Sequence, residues 1–221
     1  MKPYISVIIR AYNNEAYIRD SITSALQQTA ESYEIMLVND GSTDKTKEII
    51  GSFHDKRLRI IYQKNKGAIE AAYRGLKDAH GQLVTFLDGD DQLMPETLAE
   101  LSKPLISSDD GFSYCDYWEI DRKKNQKKIV SLQNFFNHLL GGIMFRKSAL
   151  DDIGFLDKSF LLPEYDLLMR LKKKYKGFHV AKPLYIYNRH AGSMTANSDF
   201  VEKAKKQIFD KYGIIEDFKV Y

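Results

Sequence analysis

Three carboxylates fall within four positions of the stretch Val84 to Pro95, which reads Val-Thr-Phe-Leu-Asp-Gly-Asp-Asp-Gln-Leu-Met-Pro. An apolar run of strand formers stops at Asp88, Asp90 and Asp91, and Pro95 then opens a predicted helix. Carboxylates crowded at a strand end repel one another, and either a cation or open water relieves the repulsion. At the carboxyl end of a buried strand, where open sheets place their ligands, the usual relief is a hard divalent cation with oxygen ligands. A solvated acidic turn capping the next helix fits the same residues, so the stretch alone leaves both readings open. A second acid, Asp40, follows another strand-like run in Asn39-Asp40-Gly41-Ser42-Thr43-Asp44. A third, Glu164, follows Pro163 at a first helical position and shares a helix face with Leu168 and Leu171. The helix dipole favours its ionised form there, as a general base requires, although a charge that only complements the helix start reads the same way.

The elements that position these acids follow from periodicity. Strands are predicted at Ile5 to Ile9, Glu34 to Val38, Leu58 to Tyr62 and from Leu83. Helices are predicted between them at Ala16 to Gln28, from the Ser42-Thr43 turn to about Phe53, and at Gly67 to Ala79. Asn13 and Asn14 are expected to cap the first helix, and Ser42 or Thr43 the second. Three strand-helix units leading into a fourth strand imply an α/β fold with a mainly parallel sheet covered on both faces. Asp40 and the Asp88 to Asp91 cluster then face one crevice at the strand ends. Beyond residue 95 the pattern changes. It predicts a helix at Pro95 to Ser107, an aromatic strand at Phe112 to Ile120 and a polar turn, Arg122 to Lys128, with five basic residues. A short strand at Ile143 to Arg146 is followed by a segment Ser148 to Ile153 and by Pro163 to Tyr175. A strand at His179 to Tyr187 and a basic amphipathic helix near Phe200 to Tyr212 end the chain.

The 221 residues suit one domain, with residues 1–95 and 96–221 as its two halves. A hydrophobic fraction of 43% and a net charge of +3 are ordinary for a globular protein and give no ground for nucleic-acid binding. The lone Cys115 forms no internal disulfide, which fits a reducing compartment and a cytoplasmic location. No apolar run approaches the ~18 residues of a membrane span, so any membrane contact is expected to be peripheral.

With these pieces in order, the chain resembles the family 2 glycosyltransferases of the GT-A fold from Ile5 to about Ser193. The motifs that carry the resemblance are Ser-Val-Ile-Ile-Arg-Ala-Tyr-Asn at 6–13, Val-Asn-Asp-Gly-Ser-Thr-Asp at 38–44 and Asn-Lys-Gly at 65–67. They continue with Phe-Leu-Asp-Gly-Asp-Asp at 86–91, Pro-Glu-Tyr-Asp-Leu-Leu-Met-Arg-Leu at 163–171 and Tyr-Asn-Arg-His-Ala-Gly-Ser at 187–193. The resemblance implies a nucleotide-diphosphate sugar donor, with uracil as the habitual base, and an inverting transfer to a glycan or lipid-linked hydroxyl in surface polysaccharide assembly. On it, Asp40 accepts a hydrogen bond from the base, Tyr12 lies beside the base, and Arg10 stands in the donor site where a small residue or proline is usual. Asp88 and Asp90 match the two acids of an Asp-x-Asp motif. Asp90 contacts Mn2+ or Mg2+, while Asp88 reaches the ribose or a metal-bound water. His190 is placed at the diphosphate or metal, Glu164 at the catalytic base, and Asp91 near the acceptor.

Departures from the family pattern are equally specific. Glu164 replaces the usual aspartate, Asn39 replaces a frequent aspartate, and Ala72-Tyr73 stand where an Arg-Asn pair is common, leaving Lys66 or Arg74 to substitute. The basic runs at Arg122 to Lys128, Lys172 to Lys176 and Lys203 to Lys206 suit either solvated faces or docking on anionic lipid or a charged glycan. Tyr114, Tyr117, Trp118, Phe135 and Phe136 suit the core or stacking on an acceptor sugar. Two other classes remain. A catalytically weak nucleotide-sugar-binding module is favoured by Glu164 and the missing Arg-Asn pair. A sugar-nucleotidyl transferase is disfavoured, because Arg10 to Glu15 lacks a glycine-rich loop.

Overall fold

The structure is a computed structural model that describes residues 3–132, 140–190, 192–193 and 197–213; Phe135 and Phe136 lie outside them. The first half alternates β1 (Ile5–Ala11), α1 (Ile18–Leu26), β2 (Tyr33–Asp40), α2 (Thr46–Gly51), β3 (Leu58–Gln63), α3 (Ala68–Asp78) and β4 (Leu83–Asp88). Strands β3, β2, β1 and β4 lie side by side and all parallel. Their cores are continuous branched apolar runs rather than alternating ones, because both faces of β1, β2 and β4 are covered. Ile8, Ile9, Met36, Leu37 and Leu87 are fully buried, each contributing about 1.5–3 kcal/mol of transfer free energy. Helix α3 packs tightly enough on β1 that a Cβ on Gly75 would lie 2.4 Å from Ile8 Cγ2.

The second half contains β5 (Gln92–Leu93), α4 (Thr97–Ser107), β6 (Phe112–Asp121), β7 (Gln126–Val130), β8 (Ile143–Arg146), α5 (Lys147–Ile153), α6 (Pro163–Lys174), β9 (Gly177–Arg189) and α7 (Ser198–Tyr212). It extends the sheet in the order β4-β8-β6-β9-β5, with β7 on the edge of β6. Strand β8 runs antiparallel to β4 and β6, whereas β9 runs parallel to β6. Helix α6 lays Leu167, Leu168 and Leu171 into the same apolar cluster as Ile8, Phe86 and Phe145, which brings its amino end to the junction of the two halves.

Several sequence expectations are corrected. Helix α1 starts at Ile18 rather than Ala16, and neither asparagine caps it. Asn14 instead accepts the Tyr12 N–H with its side chain and the Tyr17 and Ile18 N–H groups with its carbonyl. Helix α2 begins at Thr46, and the Thr46 N–H is capped by Asp44 Oδ1 rather than by Ser42 or Thr43. Helix α4 starts at Thr97, because Gln92–Leu93 pairs with Tyr185–Ile186 and pulls the chain into the sheet first. The polar stretch Arg122 to Lys128 is a turn only in part; from Gln126 it pairs with β6.

Candidate active site

The carboxyl ends of β1, β2 and β4 carry the site, and side-chain hydrogen bonds lace the turns after β1 and β2 together. Asn13 N–H donates to Ser42 Oγ at 3.0 Å, and Thr43 N–H donates to Asn13 Oδ1 at 2.8 Å. Glu15 N–H donates to Asp44 Oδ2, and Lys45 N–H returns the bond to Glu15 Oε2. Asp40 ends β2 at 2% exposure and holds the 63–67 segment. Its Oδ1 accepts from Gln63 Nε2 at 2.7 Å and Lys66 N–H at 2.9 Å, and its Oδ2 accepts from Gly67 N–H at 2.8 Å. A carboxylate offers about four lone-pair positions, so one on Oδ2 remains for a further donor. Gly41 is required beside it: its φ is +75°, and a Cβ there would lie 2.6 Å from Asn65 N.

Asp88 lies opposite Arg10 in the β1–β4 register, and the Arg10 guanidinium forms an ion pair with its Oδ1. Arg10 Nε is buried without a hydrogen-bond partner among the described residues. Burial alone would lower the Arg10 pKa, but the charges of Asp88 and Glu164 raise it. The same field acts on Glu164: burial pushes its carboxyl above the ordinary glutamate range, its own backbone N–H and Arg10 pull it down, and Asp88 pushes it up. Glu164, at the start of α6, therefore lies within the electrostatic reach of Arg10 and Asp88 on the first and fourth strands.

Asp90 and His190 form a second pair, with His190 Nε2 2.8 Å from Asp90 Oδ2. Gly192 N–H reaches His190 Nδ1 at 3.1 Å, which makes Nδ1 an acceptor and leaves the neutral ring's proton on Nε2, directed at Asp90. Burial and the charge of Asp88 raise the Asp90 pKa, against the His190 bond that lowers it. The His190 ring stacks on Tyr17, with centroids 4.9 Å apart and planes 17° apart. Asp91, expected near the acceptor, turns inward instead at 2% exposure. It accepts from Tyr185 OH at 2.7 Å and from Asn188 N–H at 2.8 Å, while Asn188 Nδ2 donates to the Asp90 carbonyl. Burial, and then the charges of Asp90 and Asp88, raise the Asp91 pKa well above the ordinary range. This network ties the acidic turn to β9, and nothing in the acid motif itself announced it. Its signal was the polar and aromatic run Tyr185 to His190.

A divalent cation fits this donor set. Among the described residues no group of three or more His, Cys, Asp or Glu side chains encloses an ion. Mg2+-type sites, however, commonly use one or two protein ligands plus substrate phosphates. With its proton on Nε2, His190 donates to Asp90 Oδ2 and orients that carboxylate, which leaves Asp90 as the side chain that would hold the ion. Asp88 is less available, since Arg10 occupies one of its oxygens.

Tyr12 stands 48% exposed at the end of β1, and Lys66 is exposed beside Asp40. Arg74 pairs with Asp78 along α3 at 3.2 Å, so it does not replace the missing Arg-Asn pair. Ala72 is fully buried, and Tyr73 donates to the Leu156 carbonyl at 2.7 Å; both positions serve packing. A surface depression of about 780 Å³ along α2, lined by Glu15, Lys47 and Tyr62, contains none of the paired acids. The site is defined by converging charge rather than by concavity.

A parallel α/β sheet with acids at its carboxyl edge, joined to a mixed half that delivers one more acid from a helix start, is the GT-A glycosyltransferase architecture. The chain belongs to glycosyl transferase family 2, whose model matches residues 6–161. An uncharacterised glycosyltransferase of Haemophilus influenzae is 34% identical over 145 residues, covering 62% of this chain and 56% of the relative. The chain thus spans little more than half the length of that relative. Staphylococcus aureus TarS 1–349, solved with UDP-GlcNAc, superposes with a TM-score of 0.73 at 23% identity, over 95% of this chain and 67% of TarS 1–349. The mannosyltransferase PcManGT of Pyrobaculum calidifontis, solved with GDP-Man and Mn2+, gives 0.76 at 17% identity, over 100% and 66%.

Proposed function

We propose that this chain is an inverting, metal-dependent glycosyltransferase that moves a sugar from a nucleotide-diphosphate donor, UDP by preference, to a hydroxyl of a glycan or lipid-linked acceptor in surface polysaccharide assembly. The observation that carries the proposal is the Arg10–Asp88 ion pair and the Asp90–His190 pair at the carboxyl end of β4, with Glu164 at the start of α6 held in the same field of charge. The nucleotide-sugar complexes of TarS and PcManGT support a donor of this class.

In this reading Asp40 uses its spare lone pair for the base, Tyr12 covers the base, and Lys66 lies along the same side. Asp90, oriented by the His190 Nε2–H, would hold the divalent cation, which when bound would supply Lewis-acid stabilisation of the charge developing on the diphosphate. Arg10 keeps Asp88 oriented toward the ribose and contributes positive charge beside the leaving group. Asp91, bonded to Tyr185 and Asn188, positions the acidic turn and touches no substrate. Glu164 takes the acceptor hydroxyl's proton as that oxygen bonds to the anomeric carbon and the sugar–phosphate bond breaks with its electron pair on the diphosphate. Attack from the face opposite the leaving group inverts the anomeric centre, and a base of this kind contributes about 10²- to 10⁴-fold in rate.

The test is a thermal-shift panel of UDP, GDP and their sugars with Mn2+ or with EDTA, because a ligand stabilises as the logarithm of its concentration over Kd. A Mn2+-dependent rise with a nucleotide in the wild type, absent in Asp90→Ala, is expected. No nucleotide response, or an identical one in Asp90→Ala, overturns the reading.

A further inference from the structure

We propose that the turn joining β6 and β7 recognises the acceptor, and that this acceptor is an anionic glycan bearing phosphate or carboxylate groups. The proposal rests on the transferase reading above and adds the chemical class of its second substrate. Residues 122–128 are Arg-Lys-Lys-Asn-Gln-Lys-Lys, all exposed. Among the described residues the acids that reach these cations are Asp121, 3.9 Å from Lys124 Nζ, and Glu119, 3.1 Å from Lys128 Nζ. The remaining charge is large for a protein of net +3.

Its place in the fold gives that charge a role. Arg122 lies 5.2 Å from the Tyr17 ring centre, Tyr17 stacks on His190, and His190 meets Asp90. The basic tip therefore stands one stacked ring pair away from the acid assigned to the cation. The tip is also held in shape. Asn125 adopts φ +51°, the ladder runs from Asp121–Gln126 to Tyr117–Val130, and Lys127 Nζ rests 4.2 Å from the Trp118 ring centre. Cations fixed on rings lose less freedom when they bind an anion than free lysines do. The apolar neighbours of the stretch are few, Trp118 lying under Lys127 and its cross-strand partner Ile129 being half exposed, whereas surface-seeking membrane elements present a whole row of Trp, Phe or Leu that insert. A polymer of charged sugars running from the tip to the acidic turn satisfies both the charge and the location.

The test compares the wild type with Lys123→Gln/Lys124→Gln/Lys127→Gln, which leaves Arg122 on Tyr17. Calorimetry with UDP and Mn2+ present measures binding of oligogalacturonate, phosphorylated maltodextrin, methyl-esterified oligogalacturonate and phosphatidylglycerol vesicles. We expect at least one charged glycan to bind the wild type, to weaken with salt, and to bind the triple variant about tenfold more weakly, since exposed ion pairs contribute only modestly each. The methyl ester should bind neither protein, and UDP affinity should be equal in both. The proposal is overturned if neither charged glycan binds, if the variant binds them equally, or if only vesicles respond to the substitutions. It is also overturned if UDP affinity falls with the turn, which would reassign these lysines to the donor. Absence of UDP binding in the wild type would instead sink the transferase reading and is scored separately.

Discussion

Asp166 sits two residues after Glu164 and is completely buried, yet it is expected to be ionised and to clamp the last helix onto α6. Its Oδ2 accepts from Arg170 Nε at 2.8 Å, and its Oδ1 accepts from Lys211 Nζ and Tyr212 OH at 2.6 Å each. Around it Leu162, Tyr165, Ala204 and Ile208 form a small apolar cluster between α6 and α7. Burial by itself would raise the Asp166 pKa, but the bonds from Lys211, Tyr212 and Arg170 hold it below the ordinary range. In Asp166→Ala, Arg170 keeps its bonds to the carbonyls of Ile153, Gly154 and Phe155, and Lys211, already part-exposed, can turn to water. The cost should therefore fall at the low end for a broken buried pair, about 3 kcal/mol, or a melting-temperature loss of roughly 6–12 °C for a chain of this size. The sign of the pH dependence follows from the lowered pKa. The stabilisation is present above the unfolded aspartate value near 4 and is lost as pH falls through the folded value, so wild-type and variant melting curves should converge only in acid. Calorimetric or circular-dichroism melts from pH 7 to pH 3 measure this. A loss under about 2 °C at pH 7, or a gap that widens toward acid, refutes the clamp.

Three further outcomes follow from the site. In Gly89→Ala the new Cβ would sit 2.6 Å from Asn14 Oδ1 and 3.0 Å from the Arg10 carbonyl, so the acidic turn must shift; Mn2+-dependent UDP affinity should drop at least tenfold, with about 1–3 kcal/mol of stability lost to overpacking, both read by titration and melting. In Arg10→Gln the charge that lowers the Glu164 pKa is gone, so the acid limb of the kcat/KM profile should move to higher pH; a limb that stays or moves down separates Arg10 from the base. Asp91→Asn keeps an oxygen for the Asn188 N–H, turns its amide N–H to the Tyr185 hydroxyl oxygen, which can accept, and removes a charge that burial disfavours, so the melting temperature should hold or rise while activity survives; loss of activity in a fully folded protein would return Asp91 to the reacting centre.

The parallel half of the fold was legible because β1, β2 and β4 are buried on both faces and read as unbroken apolar runs bounded by turn residues. Helix starts were less legible. Asn14 turns its side chain back to Tyr12 while its N–H donates to Thr46 Oγ1, and Asp44 accepts from Glu15 as well as Thr46, long-range choices that local capping preferences do not encode. The two-residue β5 and the β6–β9 pairing were invisible because their partners lie about 70–90 positions away. For the site, the acid motifs marked which residues gather but not their orientation. Asp90 was expected at the metal and Asp91 near the acceptor, and only the arrival of Tyr185 and Asn188 decides that Asp91 faces inward while Asp90 meets His190. The Arg10–Asp88 pair is a register effect between strands, which one sequence cannot display.

The central claim is that Glu164 removes the acceptor proton at a site whose donor contacts lie on other elements, and Glu164→Gln tests it most directly. Relieving a carboxyl whose pKa burial has raised should leave the fold intact or firmer, and UDP affinity with Mn2+ should stay within about twofold, while single-turnover transfer falls about 10²- to 10⁴-fold. Transfer at more than a tenth of the wild-type rate with normal UDP binding would contradict the account.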